Sequence, residues 1–338
     1  MSPNSDNTPT RSLRSNAQAV LSIFRTREAG IFLSLLLIIG LILASGPQPR
    51  ESFPRPENLR NLSRQIALLG IFAIGETFVI IAGGIDLSVG SLIAFSGVLS
   101  GLLLVKLHLP TAVVIPIVLL ASLLVGVVHA LLIAKVGLQP FVATLGTMCI
   151  LRGASLLLTD SLPIPISDET FVYLGNGRPW GIPTPVIILA GVGILGGLFL
   201  RRVTHGKYLY ALGSNEEAAR LSGIDTTRAK LVAYGLCSLL TGLAGIVFAA
   251  YALQGSPNSG LAYELNAIAA AVIGGCSLAG GVGSVSGTVL GASVLSVILN
   301  GLNLAIRKNA SLWEGVIVGT VVVVAVSLNT LRQRGYRS

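Results

Sequence analysis

Carboxylates, hydroxyls and amides are scarce in the long apolar runs of this chain, so those found there are the first candidates for chemistry. The stretch IALLGIFAIGETFVIIAGGIDLSVGSLIAFSG, residues 66–97, carries Glu76, Thr77, Asp86, Ser88 and Ser91 within one hydrophobic run. Further along, Gln139, Thr144, Thr147, Arg152, Asn266, Asn300 and Asn303 also fall in apolar surroundings. An ionised carboxylate at mid-bilayer costs on the order of 3 kcal/mol, so such groups usually face a bundle interior or a water-filled path. Mostly uncharged donors and acceptors suit recognition of a hydroxyl-rich, uncharged solute. Each residue taken alone also serves as helix–helix glue. Glu76, Asp86, Ser88, Ser91, Thr144, Asn266 and Asn300 are the candidates for lining a translocation path.

Chemistry that breaks bonds finds no support. There is no Ser-His-Asp arrangement and no paired carboxylate site, so an enzyme is not expected. Residues 191–196, GVGILG, match a dinucleotide fingerprint but lie in an apolar run without the strand and acidic residue it needs. GVGSVSGT, 281–288, lacks the lysine of a phosphate loop. Cys149, Cys237 and Cys276 sit in apolar segments and read as small buried residues. His108, His129 and His205 form no ligand spacing. Neither a metal nor a cofactor is therefore expected on this chain.

The elements that position these residues follow from composition. The chain is 52% hydrophobic and only 11% charged, against about 25% charged in a soluble domain. Its apolar runs are too long and continuous for a β-barrel, which leaves an all-α polytopic bundle. About ten spans are expected, near 30–46, 64–82, 87–107, 110–134, 140–159, 184–200, 229–253, 264–280, 284–304 and 313–331. Residues 1–28 read as a polar cytoplasmic tail, 29–331 as the transmembrane domain and 332–338 as a second cytoplasmic tail. With the N-terminus inside, 14 Lys and Arg fall in inner loops and eight in outer ones, so both termini are expected inside. The formal charge of +9 then reflects loop bias, and nucleic-acid binding is not expected.

Two polar connections stand out. Residues 160–183, expected outside, hold several prolines and Trp180, which suits an interfacial segment. Residues 201–228, expected inside, hold GSNEEAARLSGI at 213–224. Asn215 suits a helix N-cap, Glu216 and Glu217 suit the first turn, and Gly223 suits the stop. The exposed face of that short helix is expected to show Ala218 and Ala219 beside Leu221, as a docking knob would.

Glycine-rich interruptions follow two apolar runs. GGIDLSVG begins at Gly83 and GGCSLAGG begins at Gly274, an offset of 191. Discontinuous, glycine-rich segments in corresponding halves are common in transporters. The span count puts both interruptions on the same side of the membrane. The first reads as a helix end, a bend carrying Asp86 and a new helix near Leu87. Two roles fit that bend: a structural turn, or a border of the solute path.

Four stretches in order give a specific resemblance: AGGIDLSVGSLIAFSG, LQPFVATLGTMCILRG, GKYLYALGSNEEAARLSGI and YELNAIAAAVIGGCSLAGGVGSVSGTVLGA. Over roughly 60–328 the chain resembles the membrane permease of bacterial ABC-type monosaccharide importers, the ribose-type permease above all. Arabinose, xylose, galactose and autoinducer-2 permeases share much of the pattern. Glu76 departs from it, standing where such permeases usually carry an uncharged residue. The resemblance implies a permease homodimer or heterodimer in the bacterial inner membrane lipid and a periplasmic sugar-binding protein that delivers substrate. It also implies a cytoplasmic ABC ATPase subunit that uses ATP-Mg. Gly213, Asn215, Glu216, Ala218, Ala219, Leu221, Gly223 and Ile224 would be the segment that couples to this ATPase. An ion-coupled secondary carrier, with Asp86 or Glu76 titrating, and an ABC permease for branched-chain amino acids or autoinducer-2 are the alternatives.

Overall fold

A computed structural model describes residues 27–306, 313–321, 323–324 and 327. In chain order the helices are α1 (Arg27–Ala44), α2 (Pro47–Ser52), α3 (Pro56–Ile81), α4 (Val89–Gly101), α5 (Thr111–Leu131), α6 (Pro140–Thr159), α7 (Glu169–Asn176), α8 (Thr184–Arg202), α9 (Thr204–Ser214), α10 (Glu216–Leu221), α11 (Thr226–Ala252), α12 (Tyr263–Ile273) and α13 (Val285–Ala305). α4 and α5 each run on through a π-helical turn, Leu102–Lys106 and Leu132–Val136. Strands β1 (Ile164–Pro165) and β2 (Gln254–Gly255) pair antiparallel.

Seven of these helices are long and apolar enough to cross a membrane: α3, extended α4, extended α5, α6, α8, α11 and α13. α1 and α12 are shorter apolar helices. These nine correspond to nine of the ten expected runs. Of the tenth, 313–331, residues 313–321, 323–324 and 327 are described and helical, while the expected tails 1–28 and 332–338 lie largely or wholly outside the described residues.

Local chemistry explains the boundaries. Pro47, Pro56 and Pro140 open α2, α3 and α6, where the missing N–H has no helical partner to lose. Side-chain caps satisfy other orphan donors. Asp168 accepts from the Phe171 N–H at 2.8 Å, Asp225 from Arg228 at 3.0 Å and Ser284 from Gly287 at 3.1 Å.

α3 is the central post. Ala67, Ile71, Ile74, Val79, Ile80 and Ile81 are all fully buried, between α8, α11, α12 and α13. α11 packs on its other side against α4 and α5. With no hydrophobic drive between helices in lipid, close packing must hold them. Gly126 of α5 lies against the Tyr234 backbone, and Gly245 of α11 lies against Ser96 and Ile93. A methyl at either place would overlap its neighbour.

The expected span at 264–280 is discontinuous. Only 263–273 is helical; residues 256–262 before it are irregular, and 274–284 form a bend. Leu253, Gly260 and Ala262 have φ of 58°, 69° and 63°, which no continuing helix accommodates. The strand pair ties the end of α11 to the 160–183 connection at one end of the bundle.

The two glycine-rich bends repeat one cap. Gly83 has φ 83°; its N–H reaches the Ile80 carbonyl, and that of Gly84 reaches Val79. Gly275 has φ 92°; its N–H reaches Val272, and that of Cys276 reaches Ala271. Both are left-handed helix stops. The structural offset is therefore 192, from Gly83 to Gly275, one more than the glycine pattern suggested. Both bends lie at the same end, as the span count implied.

Candidate functional site

The first bend carries the polar cluster. Asp86 is 1% exposed. Its Oδ1 accepts from the Ser88 N–H at 2.8 Å and the Ser88 hydroxyl at 2.6 Å, a side-chain-closed turn. Ser91 donates to the Ser88 carbonyl at 2.8 Å. Thr144 of α6 donates to the Ile85 carbonyl at 3.3 Å. Glu76, on the last turns of α3, accepts the Asp86 N–H at 3.1 Å. Five of the seven path candidates, Glu76, Asp86, Ser88, Ser91 and Thr144, are thus brought to one place.

The other two are not joined to it. Asn300 exchanges amide hydrogen bonds with Asn58, at 2.9 and 3.1 Å. Asn58 is about 27 Å along α3 from Glu76, at 1.5 Å per residue. Asn266 is half-buried on α12.

Several partners of the cluster come from residues not expected in it. His129 Nδ1 lies 3.6 Å from Asp86 Oδ2, with His129 fully buried. Its ring meets Tyr234 edge-on at 6.0 Å between centroids. Cys237 Sγ donates to Glu76 Oε2 at 3.8 Å. The Tyr234 hydroxyl sits directly over Gly84. Among the described residues, the Tyr234 and Ser238 hydroxyls have no hydrogen-bond partner. A signal did exist for part of this: 234, 237, 238 and 241 form one helical stripe at i, i+3, i+4 and i+7. Nothing local announces His129, whose partner is 43 residues away in sequence.

A second polar face lies about midway through the bundle. Arg152 is about 18 Å along α6 from Pro140, counting 1.5 Å per residue. Its Nη1 donates to the carbonyls of Pro257 and Ser259. These two carbonyls belong to the irregular segment 256–262, where no helix satisfies them. Asn258 beside them is exposed, and Glu264 and Asn266 are half-buried.

The connection 203–225 meets both bends. Gly213, at the end of α9, has no room for a Cβ: it would strike the Ile81 carbonyl and the Gly281 N–H. The Gly281 N–H in turn donates to Ile81 O at 2.9 Å. Tyr210 of α9 donates to the Gly283 carbonyl at 2.9 Å, and burial pushes its phenol pKa up. Beyond Gly213, Asn215 Oδ1 caps α10 by accepting the Ala218 N–H at 2.9 Å. Gly223, φ 84°, closes α10, with the Ile224 N–H reaching Ala219 O at 3.1 Å. Lys230 ties Glu216 back to α11 at 2.6 Å.

One expectation here is corrected. Ala219 is 5% exposed and faces the protein, while Leu221 is 80% exposed and Ala218 is exposed beside it. The six-residue helix turns its Ala218–Leu221 side outward because Ala219 packs inward.

Comparison with known proteins places this arrangement. A family model for the branched-chain amino acid transport system / permease component matches residues 58–326. The chain is 38% identical over 310 residues to the ribose import permease protein RbsC of Escherichia coli K12, covering 90% of this chain and 94% of that one. It is 38% identical to the ribose import permease protein RbsC of Bacillus subtilis, covering 90% and 92%. It is 34% identical to the L-arabinose transport system permease protein AraH of Escherichia coli K12, covering 83% and 85%. No solved structure matches.

Proposed function

The chain belongs to the branched-chain amino acid transport system / permease component family, and from that premise we propose that it is the membrane permease of an ATP-driven importer for ribose or a related monosaccharide. The relatives named for ribose and arabinose, aligned over most of both chains, favour a sugar over the amino acids of the family's title. The chain sits in the bacterial inner membrane with both termini cytoplasmic. A periplasmic binding protein delivers the sugar, and an ATPase on another chain uses ATP-Mg.

The observation that carries the mechanism is the position of Gly213. It is wedged between the end of α3 and the second bend, and it leads straight into α10. We read 213–224 as the handle that the ATPase grips. A displacement of α10 then reaches both bends through backbone contact, without passing through flexible side chains. The first bend holds Asp86 and Ser88, and α12 runs between the second bend and the irregular segment beside Arg152. Sugar hydroxyls would exchange hydrogen bonds with the mid-depth polar face while the bends change shape. Oligomerisation as a homodimer or heterodimer would cover that face from lipid.

The test is uptake of labelled ribose and arabinose into vesicles holding the permease, its ATPase and its binding protein. Uptake that requires ATP and all three proteins is expected. Uphill uptake by this chain alone would overturn the reading. The buried Glu76–Asp86–His129 group favours one other reading, an ion-coupled carrier, and accumulation driven by a proton or sodium gradient without ATP would establish it.

A further inference from the structure

At the end opposite Gly213, the first two turns of α3 and the connection after α7 border an open polar cavity. It is lined by Glu57, Arg60, Asn61 and Arg178, with a volume of about 280 Å³. A water molecule takes about 30 Å³, so the space suits a molecular group larger than one or two waters. Two guanidiniums, those of Arg60 and Arg178, line it, and that of Arg64 stands one turn deeper along α3 from Arg60. Arg60 and Arg178 lie close enough to Arg64 for their like charges to act on it.

Their own partners do not offset this charge. Arg60 Nε donates to the Pro56 carbonyl at 3.0 Å. Arg64 Nη1 reaches Asn61 Oδ1 only at 3.5 Å, and its guanidinium lies 5.8 Å from the Tyr251 ring centre. Arg64 is 6% exposed, yet among the described residues its buried Nε has no hydrogen-bond partner. Among the described residues, no ion pair reaches Arg60, Arg64 or Arg178. Glu57 on the rim is the one nearby carboxylate lining the cavity. Two unpaired guanidiniums facing one space, with a third like charge buried behind them, call for an anion.

Depth selects its kind. The apolar run of α3 begins at Ile66, so Arg64 stands at the hydrocarbon boundary and Arg60 one turn further out, at the level of lipid headgroups. Trp180, two residues from Arg178, is 90% exposed, as residues at that level often are. One carboxylate offers two oxygens, a match for a single guanidinium fork, whereas a phosphate offers more oxygens to several. We infer that the cavity lined by Arg60 and Arg178 binds a phosphate group, brought either by an anionic phospholipid headgroup or as free phosphate.

The experiment uses the full-length permease in phosphatidylcholine nanodiscs, titrated with phosphatidylglycerol and separately with inorganic phosphate. Binding is read by Trp fluorescence and by native mass spectrometry. Saturable phosphatidylglycerol binding without a phosphate response identifies the lipid source; the reverse identifies free phosphate. Arg178→Gln, on an exposed loop, should weaken the anion about tenfold, and Arg60→Gln about as much. Glu57→Gln should tighten it, because it removes the one competing negative charge. Added salt should weaken it. Should Arg60→Gln fail to fold, Arg178→Gln and Glu57→Gln still decide. Equal binding of phosphatidylglycerol and phosphatidylcholine with no phosphate response would overturn the inference, as would unchanged affinity in Arg178→Gln. So would an Arg178→Gln defect confined to capture of the sugar-binding protein, which would assign the cavity to a partner carboxylate.

Discussion

Gly84 and Tyr234 give the most direct test of how tightly the first bend is held. A Cβ at 84 would fall on the Tyr234 hydroxyl, with Val79 at 3.2 Å on the other side. Gly84→Ala therefore overpacks a buried site, which costs about 1–3 kcal/mol. The entropy gained by removing a glycine from the unfolded chain is smaller, about 0.4–1 kcal/mol, so the clash wins. Tyr234→Phe deletes the oxygen that is struck, so the double variant should regain most of the lost thermal stability. If Tyr234→Phe gave no recovery, the contact would not be what limits position 84. At this scale the sequence was half legible. Asp86 with Ser88 could be read as a turn because the partners are two residues apart. His129 with Asp86 could not, because only the packing of α5 beside the bend creates the pair.

Among the elements, α10 and its flanks were readable in detail because their signals are local. The Asn215 cap and the Gly223 stop both stand where residue type demands. What could not be read is which side of a six-residue helix faces out, since so short a stretch leaves the phase open. That phase now decides the experiment. Leu221→Asp and Ala218→Asp put a charge on the outward face, so they should leave folding unchanged and abolish ATP-dependent uptake and stimulation of the ATPase. Ala219→Asp places its carboxylate on the inward, 5% exposed face and should lower stability first, by about 1–3 kcal/mol for an unpaired buried polar group. Normal ATPase stimulation in both outward variants would show that α10 is not the handle. The offset between the two bends shows a similar limit. Counting glycines matched the wrong pair by one position, whereas the left-handed φ of Gly83 and Gly275 marks the true correspondence.

For the whole molecule, hydrophobic run length located nine apolar helices, seven of them long enough to cross a membrane, and the glycine-rich stretches marked two breaks, but the irregular segment 256–262 was not legible. The reason lies in Arg152. A chain segment without helical hydrogen bonds is costly in a membrane unless something else meets its carbonyls, and residues 256–262 are met by a side chain more than 100 residues earlier. That long-range pairing lets the span break where periodicity alone would continue it. It also ties α6 to the segment preceding α12, so the polar mid-depth face holds its shape only when both halves of the fold are present.

The half-length of α12 bears on how the protein is made. Its 11 residues extend about 16 Å, against a hydrocarbon core of about 30 Å. Newly synthesised alone, it lacks the reach to be recognised as a crossing. It should enter the bilayer only as a passenger of its neighbours, once α11 and α13 have emerged from the ribosome. In a glycosylation-mapping series, chains ended after residue 273 should leave that segment uninserted, whereas chains extended through α13 should carry it across. Full insertion in the shorter series would show that biogenesis does not wait for the later helix.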